Sequence, residues 1–397
     1  MSSRAGSSYG GQDSVPPPRT RLLLVGAGHV HLEILRRLAL EPNPALETTI
    51  VSLEERHLYS GMTPGYLAGQ YTVDEISFHV PAIARAAGAA CVIGAAGGLN
   101  AGGRQVALQD GRVLPYDLVS LNIGSLLVGA DDESARYAER IKPLHRAARL
   151  KARIDELAGG GGSGRARVVI IGAGAGGVEV ACATAAVLDR AGRAREITLV
   201  ERGDGVPAGY PARFQARART ALETRGVRLR LGALGAARRA GMVDLDDGSA
   251  LRCDLVVWLT GPGAAPLLSE SGLPVEPRGF LWTDDRLRST ADPRVFAVGD
   301  CGTMVEHPRL AKSGVYAVRE APVLWHNLRA AATGAPLRAY RPQRDFLSIL
   351  NTCDGRALLR YKGLVSWSRW AWWVKDRIDR SFMRKYQRLP LAVRSLP

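Results

Sequence analysis

At 397 residues, 46% of them hydrophobic and 23% charged, the chain is long enough for two or three domains, each with its own core. No apolar run approaches the roughly 18 residues needed to cross a bilayer, which excludes an integral helical membrane protein. Of the net charge of +15, a net +7 falls in Tyr361 to Pro397, where nine Lys or Arg face two Asp, so the basic excess is a property of the tail and does not by itself imply nucleic acid.

The first twenty residues (1–20) are rich in Ser, Gly and Pro and lack the apolar stretch of a secretory signal, so they read as a disordered tail on a cytoplasmic protein. An apolar strand, Arg21 to Val25, runs into Gly26-Ala27-Gly28-His29-Val30-His31, and a helical pattern follows from Leu32 to Leu40. Strand, glycine turn and helix together place backbone N–H groups against a pyrophosphate, at a helix end whose dipole favours an anion. The third glycine of the GxGxxG pattern is His31, and a fingerprint with that defect fits a plain structural turn as well as a phosphate loop.

A second instance is complete. Val168 to Ile171 leads into Gly172-Ala-Gly174-Ala-Gly176-Gly177-Val178-Glu179 and a helical run to Arg190. A further strand, Ile197 to Val200, ends on Glu201, where an acidic side chain accepts hydrogen bonds from an adenosine ribose. Glu201 favours NADH by repelling a 2′-phosphate, although Arg202 beside it offers a partial site for NADPH.

An internal repeat links the two instances. Residues 106–124 align without gaps on residues 243–261 with nine identities in nineteen positions. In each, an Asp-Gly pair (Asp110-Gly111, Asp247-Gly248) sets a hairpin turn, and a Leu-Val strand then runs to a glycine, Gly124 or Gly261. Each half therefore reads as a Rossmann-like α/β unit with a small β-meander. Asp132 to Leu157 looks helical with a break at Lys142-Pro143, and the Gly-rich stretch 158–164 reads as the linker between halves.

The five cysteines, Cys91, Cys182, Cys253, Cys301 and Cys353, show neither CxxC nor CxxxxC spacing, and no metal site is expected. His29 and His31 lack a third ligand and are expected to contact a cofactor or pack beside it. Trp367, Trp370, Val374, Ile378, Phe382 and Tyr386 recur at helical spacing among Arg and Lys. Two readings of 367–388 stay open: a basic amphipathic helix on an anionic membrane surface, or a helix packing its aromatics on the body of the protein or on a second copy in a homodimer.

Ser289-Thr290-Ala-Asp-Pro-Arg-Val295-Phe296-Ala297-Val298-Gly299-Asp300 resembles the second flavin fingerprint of the pyridine nucleotide-disulfide oxidoreductase superfamily. With both glycine loops and both meanders in order, the resemblance covers nearly the whole chain. It implies two Rossmann-like domains, one for FAD and one for NAD(P)H, and a C-terminal helical tail. FAD falls to Gly26, Ala27, Gly28, His29, Glu54, Gly124 and Asp300. NADH, or less favourably NADPH, falls to Gly172, Gly174, Gly176, Gly177, Glu179, Glu201 and Gly261. Lys312 is the candidate catalytic residue, a cation beside the flavin or its acceptor, with a solvated surface lysine as the alternative. The implied domains are 21–157 and 281–360 for FAD, 165–280 for NAD(P)H, and 361–397 for the basic tail.

The sequence departs from that pattern in two places. Ser52 stands where many relatives carry the acid of the FAD ribose, leaving Glu54 as the candidate. His57-Leu-Tyr59-Ser60-Gly61-Met62-Thr63-Pro64-Gly65 replaces the redox dithiol, which argues against disulfide reduction and against sulfide:quinone chemistry. Within the superfamily the chain is similar to type II NADH dehydrogenases and to the flavoprotein domain fused to selenophosphate synthetase. The implied acceptor is a quinone at the inner face of a membrane. The alternatives are a soluble flavoprotein of selenium or other redox metabolism and a non-catalytic nucleotide-sensing or nucleic-acid-binding protein.

Overall fold

The computed structural model describes residues 19–160 and 164–389. The expected N-terminal tail, apart from Arg19 and Thr20, the centre of the Gly-rich linker and the last eight residues lie outside the described residues. Strands apolar on both faces form central parallel strands, because helices must then cover both sides of the sheet. Leu22 to Val25 and Val168 to Ile171 are such strands, each at most 5% exposed, and each is the middle strand of a five-stranded parallel sheet.

The first sheet has the order Val295–Ala297, Leu118–Leu121, Thr20–Val25, Leu46–Ser52, Ala90–Ile93. The second has the order Glu139–Arg140, Leu255–Trp258, Ala166–Ile171, Arg195–Glu201, Val227–Leu231. The repeat is carried into the coordinates strand for strand: Gln105–Leu108, Val113–Pro115 and Leu118–Leu121 correspond to Met242–Leu245, Ala250–Arg252 and Leu255–Trp258. Register is repeated too, Leu22 opposite Leu118 in the first sheet and Val168 opposite Leu255 in the second. Beyond Gly124 and Gly261, Leu126–Leu127 and Pro262–Gly263 pair antiparallel and join the halves. Helices of both units and of the tail share one apolar cluster, from Ile34 through Val178 to Met383.

Three expectations change. Only Ala147–Gly159 of the segment 132–157 is an α-helix; before it come single 3₁₀ turns and the strand Glu139–Arg140. Pro143 removes a donor and restricts Lys142, and the open edge of Leu255–Trp258 recruits Glu139–Arg140 instead. That strand lies on the second sheet, so the chain crosses between units before residue 139 rather than at 158–164. The tail helix, Arg369–Gln387, turns only part of the expected stripe inward: Tyr386 is buried and Trp367 and Phe382 pack against the core, but Ala371, Lys375, Asp379 and Met383 complete the buried face, whereas Trp370 and Ile378, with Trp373, are 48%, 45% and 56% exposed. Two paired charges occupy the inward stripe, a combination that apolar spacing does not register.

Candidate functional site

Both glycine loops lie at the carboxyl ends of their sheets, where parallel α/β sheets bind ligands. At the first, Gly26 has φ +93°, and a Cβ there would stand 2.5 Å from the Asn122 carbonyl oxygen. A Cβ on Gly28 would stand 2.2 Å from Asn122 Oδ1. Asn122 is fixed: its Oδ1 accepts from the Val30 N–H at 3.1 Å and its Nδ2 donates to the Val298 carbonyl at 3.0 Å. His31, fully buried, places Nδ1 at 2.6 Å from the Gly26 carbonyl and Nε2 at 2.9 Å from Ser120 Oγ, so both ring nitrogens are committed within the protein.

A cavity of about 420 Å³ runs from this loop past Ser52 and Glu54 at one end to Gly124, Ser125 and Asp300 at the other. Exposed Glu54 lines its wall, and Asp300 Oδ2 accepts from Ser125 Oγ at 2.8 Å. His29 also lines it, with its ring 5.4 Å from Tyr59 and 5.6 Å from Phe382. Burial lowers the His29 pKa to about 4, against the pull of Asp300, and so presents a neutral imidazole at pH 7.

The second loop opens on a cavity of about 1100 Å³. Gly172 has φ +102°, and a Cβ on Gly177 would lie 2.0 Å from the Gly172 carbonyl oxygen. In contrast, a Cβ on Gly174, Gly176 or Gly261 would meet no heavy atom within 4 Å. The residue at the cap of the helix Ala175–Arg190, Gly174, offers no side-chain acceptor, so the first-turn N–H groups remain an anion site. Glu201 Oε2 accepts from Ala173 N at 2.8 Å and Oε1 from Gly203 N at 3.1 Å, which pins the carboxylate beside the loop with Arg202 and Arg238 on the same cavity wall. Glu179 Oε1 accepts from Asn351 N at 2.7 Å; burial pushes its pKa up to about 7, against the opposing pull of Lys375.

Both cavities have the parts a dinucleotide would need: a glycine floor, a helix N-terminus and an acidic side chain on the wall, Glu54 in the first and Glu201 in the second. Ser60 and Lys142 line both of them and mark where they meet. Ser60, Thr63 and Pro64 come from the segment that replaces the dithiol, and all five cysteines are free. Lys312 lines the second cavity but is tied back, donating to the Gly302 carbonyl and to Thr303 Oγ1 at 2.7 Å with its ammonium 4.2 Å from the Phe280 ring centre. Burial lowers its pKa. Lys312 is half-buried, with two of its three donors committed within the protein and Asp300 close enough to act on its charge.

Sequence reasoning missed Asn122, Lys142 and the buried Lys375. Asn122 was legible as a mismatch within the repeat, where the second half has Leu259. Lys375 Nζ donates to the Gly61 carbonyl at 2.8 Å and to Asp379 at 2.9 Å, and Asp379 accepts from the Tyr59 hydroxyl at 3.1 Å, so the tail helix braces the loop that carries Ser60.

Residues 20–327 match the Pyridine nucleotide-disulphide oxidoreductase family. Among curated proteins, the chain is 25% identical over 149 residues to a type II NADH:quinone oxidoreductase of Haemophilus influenzae, covering 37% of this chain and 34% of that one. It is 32% identical over 229 residues to an NADH dehydrogenase-like protein of Mycobacterium tuberculosis, covering 54% and 55%. The matches thus span between a third and just over half the length of these relatives. In overall fold it resembles NDH2 from Plasmodium falciparum, solved with NADH, with a TM-score of 0.79 at 11% identity over 94% of this chain and 97% of that one. On this match over most of its length, a span that includes both glycine loops and Asp300, the chain belongs to the pyridine nucleotide-disulphide oxidoreductase family.

Proposed function

We propose that the chain is an FAD-dependent NADH dehydrogenase, with FAD in the first cavity, NADH in the second and a quinone as acceptor. The observation that carries this reading is the meeting of the two cavities at Ser60 and Lys142. Bound FAD supplies the two-electron chemistry, taking a hydride from NADH. The residues of the chain bind and orient. Gly174 and Gly176 leave open space above uncapped N–H groups for a pyrophosphate, and Glu201 meets the ribose. Asp300, held by Ser125, faces the far end of the first cavity.

The quinone is supported by the likeness to the Haemophilus type II NADH:quinone oxidoreductase and by free cysteines where disulfide reduction needs a pair. The outer face of the tail supports a peripheral membrane site. Trp370, Trp373 and Ile378, with Leu364 and Tyr361 from the adjoining hairpin, are exposed beside Lys362, Arg369 and Arg377, an arrangement suited to an anionic bilayer. Among the described residues no helix is long and apolar enough to cross a membrane.

Stopped-flow mixing of the FAD-loaded protein with NADH or NADPH, then with quinones, oxygen and small oxidants, tests the reading. Flavin bleaching by NADH ahead of NADPH and fastest return of colour with a quinone are expected. Absence of bleaching overturns the dehydrogenase, and return with oxygen alone overturns the quinone. Sedimentation with anionic vesicles should fall by about tenfold in a W370A/W373A variant, and equal sedimentation removes the membrane face.

A further inference from the structure

Lys142 reaches the meeting point of the cavities from the crossing segment. Glu139 and Arg140 hold that segment to the second sheet, and Arg149 and Asp131 pair with them in turn. From there the ammonium extends to the first unit, donating to Ser125 Oγ at 2.8 Å and standing 3.7 Å from Asp300 Oδ2. An ammonium has three N–H donors. Ser125 takes one, and Asp300 lies beyond hydrogen-bond length, so Lys142 keeps donors and a positive charge on a wall shared by both cavities. Lys312, the other lysine lining the second cavity, commits two of its three donors to Gly302 and Thr303 and does not line the first cavity.

We propose that Lys142 is the cation that holds the charge separated by hydride transfer, a role that rests on the FAD and NADH reading above. In that step a hydride, two electrons with a proton, leaves NADH and joins FAD. NADH is oxidised to NAD⁺ and FAD is reduced to its anion. A cation on the wall shared by the two cavities would attract the new negative charge and repel the new positive one. While both products are bound the two effects oppose each other. Once NAD⁺ leaves, the attraction remains alone. Lys142 therefore speeds release of NAD⁺ and raises the flavin potential in the nucleotide-free protein.

The test compares FAD-loaded wild type, Lys142→Gln, Lys142→Arg and Lys151→Gln by redox titration without nucleotide and by NAD⁺ affinity of the reduced protein. Lys142→Gln should weaken the reduced state relative to the oxidised by about tenfold, a potential about 30 mV lower for a two-electron couple. It should also bind NAD⁺ about tenfold more tightly. Lys142→Arg should restore both values, and Lys151→Gln, which removes an ammonium that pairs with Asp155 and lines neither cavity, should stay within about threefold of wild type. An unchanged potential in Lys142→Gln, an equal fall in Lys151→Gln, or loss of FAD from Lys142→Gln overturns the proposal, the last by making the role structural. Wild-type protein that binds FAD but is not reduced by NADH overturns the dehydrogenase reading itself, and a wild-type failure is thereby distinguished from a failure of Lys142.

Discussion

The two glycine units share strand order, register and meander, yet their helix N-termini are finished differently. In the second, glycine at position 177 lets the helix approach the Gly172 carbonyl, and the cap is left to a ligand. In the first, an imidazole occupies the matching position, His31, and bonds the matching carbonyl of Gly26 from the side. Asn122 then supplies the acceptor for Val30 N that no side chain supplies in the second unit, where Leu259 takes its place. Corresponding glycines thus exist for different reasons: Gly28 to make room for a side chain of the protein, Gly174 to leave space empty. A fingerprint is a record of close approach, and the approaching group can be internal or external. The first unit is partly self-satisfied, as suits a resident cofactor; the second is open, as suits a nucleotide that comes and goes.

Substitutions can break this contrast. The largest effect is expected at Gly177→Ala, whose Cβ would meet backbone 2.0 Å away. It should cost about 3 kcal/mol or more in denaturant unfolding and abolish NADH binding. Wild-type stability there would mean that the second helix has the latitude of the first. Next comes a matched pair at two caps whose φ values, −63° and −64°, both suit alanine. Gly28→Ala collides with Asn122 and should cost about 2 kcal/mol even without cofactor, whereas Gly174→Ala should stay within about 0.5 kcal/mol and weaken NADH by about tenfold or more. Equal stability losses would erase the distinction.

The smallest effect concerns a support beneath the first cavity. Glu320, 5% exposed, accepts from Gly299 N at 2.5 Å, and burial pushes its pKa up to about 7, against the opposing field of Lys312. The folded chain then holds a proton that an unfolded glutamate with the ordinary value of 4.5 releases. Glu320 therefore makes stability fall as pH rises from 4.5 to 7, with no further change above. Glu320→Gln keeps an acceptor for Gly299 and removes that slope. Its stability relative to wild type should rise by about 1 kcal/mol between pH 5 and pH 6 in urea titrations. A constant difference would show that Glu320 is ionised throughout.

Much of this was legible. Nine identities in nineteen positions placed two meanders whose strands correspond residue for residue, because turn register and apolar alternation are local signals. The glycine helices followed their pattern as well. What escaped depended on partners distant in sequence. Glu139–Arg140 is a two-residue strand with no periodicity, made only by the edge it joins. Lys375 and Asp379 read as solvent-facing charges until each is seen to satisfy the other 2.9 Å apart, with the Gly61 carbonyl and the Tyr59 hydroxyl closing the set. Lys142 gave no signal, since its significance is the 3.7 Å to an aspartate 158 positions later.

The first sheet takes its outermost strand, Val295–Ala297, from beyond the whole of the second unit, which has all five of its strands between residues 139 and 231 plus 255 and 258. During synthesis the chain emerges from its N-terminus. The half that begins first therefore finishes last: its sheet stays open at one edge while the nucleotide half completes, and Asp300 arrives only with the closing strand. The closing strand and Asp300 are thus the last parts of the first cavity to be made, and a chain cut ahead of residue 295 lacks both.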